Sequence, residues 1–209
     1  FEGSDGLLYK TGYAPLRDAT GKAGLDQKIT QKVIEELLKR VVEKEPKHKD
    51  ARRQLAWALF AQRKFEPAIT TLREQIAINP FDDYSYNLLG RVYWAQQNYA
   101  ESEKAFRKQI EITPLDESSH SNLGQMLVEW RKYKDAVPEL EQAISLNPDE
   151  ELLYVSLGRA YLSLGESAKG IEAFDKAVKL APGERVWNDV AYFMAVNKVQ
   201  LDKAQQYAE

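Results

Sequence analysis

Five of the eight prolines in this 209-residue chain, Pro46, Pro80, Pro114, Pro148 and Pro182, stand 34 residues apart. Chance seldom sets five prolines on one comb, so the chain is read first as an internal repeat, since overlooking a repeat misassigns the whole fold. Registered on that comb, Leu55, Leu89, Leu123 and Leu157 form one column, and Ala56, Gly90, Gly124 and Gly158 form the next. Three residues further on stand Leu59, Tyr93, Leu127 and Tyr161. The second half of each unit repeats as well. It carries small residues at Ala68, Ser102, Ala136 and Gly170, and large ones at Leu72, Phe106, Leu140 and Phe174.

These columns predict two helices per unit. Val137, Leu140, Ala143 and Ile144 share one helical face. Each comb proline ends a second helix, because its ring clashes with the preceding turn and disfavours helical geometry in the residue before it. Small residues at Gly90, Gly124 and Gly158 let two helices approach, and the large residues fill the groove beside them. Asp82, Asp116 and Asp149 follow the prolines closely and are expected to cap the next helix, whose amides and positive end suit a carboxylate.

Two stretches fit a known signature closely: YNLLGRVY, Tyr86 to Tyr93, and AFRKQIEITP, Ala105 to Pro114. With four such units in succession from Lys49 to Glu184, the chain resembles the tetratricopeptide repeat family. The resemblance implies an all-α, right-handed superhelical solenoid of antiparallel helix pairs. Residues 26–48 are then expected to form a capping helix, a half repeat begun by Asp26 and carrying Ile29, Val33, Ile34, Leu37, Leu38, Val41 and Val42 at helical spacing. Residues 49–184 form four full repeats and 185–209 a partial, truncated one. Residues 1–25 hold five of the eleven glycines and read as an irregular arm or the end of a preceding domain. The chain is taken as a fragment, because it starts at Phe1 and its last helix shows no stop signal before Glu209. The pattern departs from the family at Arg52 and His120, where a large residue precedes the Leu-Gly pair. The pair itself becomes Leu55-Ala56 at one end and Ala191-Tyr192 at the other.

Composition narrows the function classes. The charges, 29 basic and 32 acidic for a net of -3, are mixed along the chain, so no nucleic-acid partner is expected. No apolar run, the seven residues Leu55 to Ala61 included, is long enough to span a membrane. A soluble protein is expected, cytoplasmic or periplasmic. Cysteine is absent, and the two histidines, His48 and His120, stand in no metal-ligand spacing. No phosphate-binding glycine loop occurs, and pairs such as Asp82-Asp83 sit where helices start. No catalytic residue, cofactor or metal is expected, and the chain is read as noncatalytic.

Surface remains. The resemblance implies that the first helix of each unit lines a concave groove. The groove columns become Arg53, Asn87, Ser121 and Val155; then Trp57, Arg91, Gln125, Arg159 and Phe193; then Phe60, Trp94, Val128, Leu162 and Val196. Arg53, Trp57, Phe60, Asn87, Arg91, Trp94, Asn122, Gln125 and Arg159 are the candidate peptide-binding residues. Trp and Arg dominate binding hot spots, Asn serves a ligand main chain on both its donor and acceptor sides, and Arg grips carboxylates bidentately. The chain is thus expected to be a protein-interaction scaffold holding an extended peptide or a partner helix. Family members that bind the acidic tails of cytosolic chaperones carry Asn where Trp57 stands and Lys where Ser118 stands, so that partner is not expected. Three alternatives stay open: the aromatics pack between helices and Arg91 pairs with Glu129; the stack is a spacer that self-associates through Val186, Val190, Phe193, Val196 and Val199; or the groove binds single-stranded RNA, against which the sequence pI near 5.6 counts.

Overall fold

The computed structural model describes residues 25–199 and Gln205. The expectation for residues 1–24 lies outside them. Ten α-helices and no strand occur among the described residues. They are α1 (Leu25–Lys44), α2 (Lys49–Ala61), α3 (Phe65–Ile78), α4 (Asp83–Ala95), α5 (Tyr99–Ile112), α6 (Glu117–Glu129), α7 (Tyr133–Leu146), α8 (Glu151–Ser163), α9 (Ser167–Leu180) and α10 (Glu184–Val196). The chain folds as an all-α helical repeat solenoid. Each pair α2/α3, α4/α5, α6/α7 and α8/α9 packs within itself and onto the first helix of the next pair.

The glycine column and the large-residue column meet directly. A Cβ on Gly90 would stand 2.6 Å from the Phe106 ring, and one on Gly158 would stand 2.5 Å from the Phe174 ring. On Gly124 it would lie 2.7 Å from Leu140 Cγ. Glycine here lets two helix backbones close until the large side chain lies across the bare Cα. In the first unit the pair is Ala56 and Leu72, both fully buried, so one methyl is added where an aromatic ring is lost. The Ser102 hydroxyl, in the small-residue column of α5, donates to Gly90 O at 2.9 Å and ties the same crossing.

Helix ends follow two alternating rules. After each second helix comes one extended residue and then the comb proline, as at Asn79-Pro80 and Asn147-Pro148. After each first helix the chain turns through a left-handed residue: Arg63, Gln97, Arg131, Gly165 and Lys198, with φ between 54° and 81°. In each turn the next amide reaches back to a carbonyl in the last turn of the helix, as Lys64 N–H does to Leu59 O at 2.9 Å and Glu166 N–H does to Tyr161 O at 2.9 Å. Only Gly165 is the residue this geometry favours, and nothing stands within 4 Å of where its Cβ would be. Gly165→Ala is therefore expected to lower stability by about 1 kcal/mol through backbone strain alone. A urea midpoint unchanged from the parent protein would refute this.

The two departures at Arg52 and His120 share a task with Tyr154 of the same column. Arg52 Nη1 donates to Pro46 O, His120 Nε2 meets Pro114 O at 3.1 Å, and Tyr154 OH donates to Pro148 O at 3.0 Å. Each ties a first helix back to the proline carbonyl six residues earlier. A polar donor with an apolar stem suffices at this position, so Arg and His replace the aromatic without leaving a carbonyl unpaired.

Joints between units are built in two ways. In the first, the fully buried Asp82 carboxylate accepts from Arg53 Nε at 3.0 Å, Gln75 Nε2 at 2.9 Å and Ser85 Oγ at 3.0 Å. The second repeats the arrangement: Asp116 accepts from Gln109 Nε2 at 3.0 Å and Ser119 Oγ at 2.7 Å. In the third, the equivalent positions are Ala143, Glu150 and Leu153, with Ala143 and Leu153 fully buried, so that joint is apolar. The capping expectation holds at Asp116, which accepts Ser119 N–H at 3.1 Å. At Asp82 it fails, because the side-chain donors take the carboxylate, and at Asp149 because Glu150 occupies the cap position. His48 caps α2 instead, its Nδ1 accepting Ala51 N–H at 3.2 Å.

At the start of the stack, α1 begins at Leu25, so Asp26 lies within its first turn rather than before it. Ile34, Leu38 and Val42 turn inward, while Val33, Leu37 and Val41 form an exposed stripe on the outer face. Buried Glu35 ties α1 to the first full unit through Lys64 at 2.6 Å, with Lys39 alongside at 2.7 Å. Burial alone would raise the Glu35 carboxyl, but the two lysines outweigh it and hold its pKa at about 2.

Candidate peptide groove

First helices of successive units pack on one another, α2 on α4, α4 on α6, α6 on α8 and α8 on α10. Among the described residues no two second helices pack together; long side chains such as Arg107, which reaches Glu139 on the next unit at 3.4 Å, bridge the gap. The crowded row lies inside the curvature, so the first helices line the concave side. All nine candidate residues are on this row, and all nine are half-buried.

They do not stand alike. The Arg53 guanidinium clamps Asp82 and lies 5.3 Å from the Tyr84 ring, and Asn87 Nδ2 donates to Gln109 Oε1 at 3.0 Å. The polar atoms of both are thus engaged in the joints. Asn122 makes no hydrogen bond to another described side chain, and Gln125 donates to Ser121 Oγ at 3.1 Å. Trp94 donates its indole N–H to Glu129 Oε2 at 2.5 Å and meets Phe106 edge-on at 6.4 Å. Glu129, considered above as a partner for Arg91, is in hydrogen-bond contact with Trp94 instead.

Arg91 is held by rings. Its guanidinium lies 5.0 Å from the centre of Trp57 and 5.7 Å from that of Phe60, while those two rings stand 5.7 Å apart. Burial pushes its pKa below the ordinary arginine value, against a smaller opposing pull from Tyr84. No carboxylate among the described residues comes within ion-pair distance of it. Arg159 repeats this in mirror sense, resting 5.2 Å from Phe193 of the following unit. The column thus runs aromatic, Arg, Gln, Arg, aromatic: Trp57, Arg91, Gln125, Arg159, Phe193.

Sequence profiles described as tetratricopeptide repeat match residues 35–92, 84–114 and 122–185. The chain belongs to the tetratricopeptide repeat family. Membership places it among protein-interaction scaffolds. Solved structures that share the repeat fold include the following three. MamA from Desulfovibrio magneticus RS-1 superposes with a TM-score of 0.69 at 22% identity, covering 76% of this chain and 90% of that one. YrrB, described as a tetratricopeptide repeat protein with an unusual peptide-binding site, gives 0.67 at 18% identity over 81% and 88%. Pseudomonas aeruginosa PilF gives 0.65 at 23% identity over 76% and 72%. A search of curated proteins returned no match.

Some groove positions close into the core of this tetratricopeptide stack. Val128, Leu162 and Val155 are buried between helices, leaving the Arg91 column as the open one. Val186 and Val190, part of the self-association face considered above, are also buried; Tyr192 and Val196 are the large apolar residues of α10 left exposed. Sequence reasoning passed over Tyr99, which stacks on Trp130 at 5.8 Å and walls a cleft of about 370 Å³ together with Phe60, Arg91, Trp94 and Glu129. The signal was there, in the column Phe65, Tyr99, Tyr133 that opens successive second helices. Among the described residues no helix is long and apolar enough to cross a membrane, and no three His, Asp or Glu side chains gather to hold a metal.

Proposed function

We propose that the concave face holds an extended peptide segment of a protein partner, and that the chain acts as a noncatalytic scaffold in doing so. The observation that carries this reading is Arg91, desolvated on Trp57 and Phe60 with no carboxylate among the described residues within ion-pair distance. A cation taken partly out of water loses hydration, and an anionic or polar ligand restores what the fold leaves open. Trp and Arg in one half-buried column are the residue types on which interfaces concentrate their binding energy. The helices hold the column rigid before binding, so less ordering is lost on the scaffold's side. YrrB, with its similar fold, is described as having a peptide-binding site, and that likeness adds support.

The test is capture from a random peptide library by three proteins of equal helicity in circular dichroism. These are the intact chain, Arg91→Ala/Arg159→Ala, and a control in the second helix of the second unit, Lys104→Ala/Lys108→Ala. The intact chain and the control are expected to retain the same peptides, and the double arginine variant to lose at least about tenfold in affinity. Equal capture by all three, or capture by none, rejects the groove.

A further inference from the structure

Five arginines stand on the first helices of units: Arg52 and Arg53 on α2, Arg91 on α4, Arg159 on α8 and Arg185 on α10. Three have carboxylates within the chain: Arg52 with Glu74 at 3.6 Å, Arg53 with Asp82, and Arg185 with Glu151 at 2.7 Å. The two without one among the described residues are Arg91 and Arg159, and they occupy the same column. Each is fixed in place by an aromatic ring on its outer side, Trp57 and Phe60 before Arg91 and Phe193 after Arg159. Between them lies Gln125, uncharged and turned to Ser121. A guanidinium held over a ring makes no hydrogen bond to it, so its N–H groups are left for an acceptor, and its planar fork matches the two oxygens of a carboxylate.

The separation follows from the packing. Helices α4, α6 and α8 lie in direct succession. Adjacent packed helices sit about 8–10 Å apart, so two steps span about 16–20 Å. An extended peptide advances about 3.3 Å per residue. Two of its side chains therefore reach Arg91 and Arg159 when they are about five or six residues apart.

Building on the groove reading above, we propose that this column recognises an extended acidic peptide through two carboxylates five or six residues apart, one on each arginine. The two ends differ, which sets the direction of the peptide. Beside Arg91 opens the cleft walled by Phe60, Trp94 and Tyr99, so the first carboxylate is accompanied by an apolar neighbour. Glu129 also lines that cleft and disfavours a third acid there.

The test uses neutral, unstructured twelve-residue peptides carrying two glutamates at separations from two to nine, read by fluorescence anisotropy at low salt. Affinity is expected to peak at a separation of five or six, at least about tenfold above the shortest and longest spacings. Glu→Gln at either position of the best peptide is expected to lose about tenfold, a change that leaves the scaffold's folding untouched. In Arg159→Ala the second glutamate is expected to become irrelevant while the first still matters. A flat dependence on spacing, or equal binding of peptides with Gln in place of both glutamates, overturns the two-carboxylate proposal. If library peptides are nevertheless captured through the groove, the scaffold reading survives that failure; if no peptide of any kind is captured, the reading itself falls.

Discussion

Phe106→Ala is expected to lower the stability of the stack by about 3–5 kcal/mol, in the range for deleting a fully buried aromatic side chain. Phe106 is 0% exposed, and its ring fills the space that a Gly90 side chain would need. The cavity left behind cannot collapse easily, since both walls are helix backbones held by hydrogen bonds. The same ring supports the edge of Trp94, so the groove is expected to loosen along with the core. Urea unfolding followed by circular dichroism reads the first effect, and Trp fluorescence below the unfolding transition reads the second. Gly90→Ala strains the site from the other side, pushing a methyl into the ring, at about 1–3 kcal/mol. Combining Gly90→Ala with Phe106→Leu is expected to cost less than the sum of the two single changes. The first unit already carries that pairing, as Ala56 over Leu72. A strictly additive double variant, or a Phe106→Ala loss under about 1 kcal/mol, would contradict this account of the crossing.

Asp82→Ala is the second large effect, expected at about 3 kcal/mol, because it removes the fully buried carboxylate and leaves the half-buried Arg53 charged without its partner. Arg53, Gln75 and Ser85 all point at this carboxylate and would lose their acceptor together. The pH dependence has a fixed sign. Burial alone would raise the Asp82 carboxyl, but the hydrogen bonds from Arg53 and Gln75 outweigh it and hold it below the ordinary aspartate value. A carboxyl whose folded pKa is depressed adds stability that is complete above its unfolded pKa and is lost as pH falls through the folded one. Glu35, held at about 2 against the usual 4.5, widens the window in the same direction. Stability is therefore expected to be level above about pH 5 and to fall steadily toward pH 2. In Asp82→Ala that acid slope is expected to be shallower. An unchanged slope would place the acid sensitivity elsewhere.

The proline comb and the paired columns made the architecture legible, down to the contact of Gly90 with Phe106. That contact is local in the repeat: the two residues are 16 positions apart in one helical hairpin, and geometry leaves them no other partner. The groove was legible only as a set of positions. Nothing in the sequence around Arg53 or Asn87 told that their side chains reach Asp82 and Gln109, which lie 29 and 22 residues away. Arg53 and Arg91 are the same residue type on the same row, and only the packed structure separates the one engaged in a joint from the one left without a carboxylate. The left-handed turns were hidden as well, because Arg63, Gln97 and Arg131 fill places where glycine would have signalled them. There the tertiary contacts of the hairpin override local preference.

The two kinds of joint make the stack a measuring rod with unequal divisions. From Arg91 to Arg159 the rod crosses one joint clasped by a half-buried carboxylate, at Asp116, and one closed by the buried Ala143 and Leu153. Protonation relaxes the first and leaves the second alone, whereas cooling weakens the apolar one and spares the ionic one. The calibration of the rod, meaning the distance between its two cationic marks, thus responds to acid and to cold through different segments. A ligand spanning both marks would stiffen whichever segment had softened.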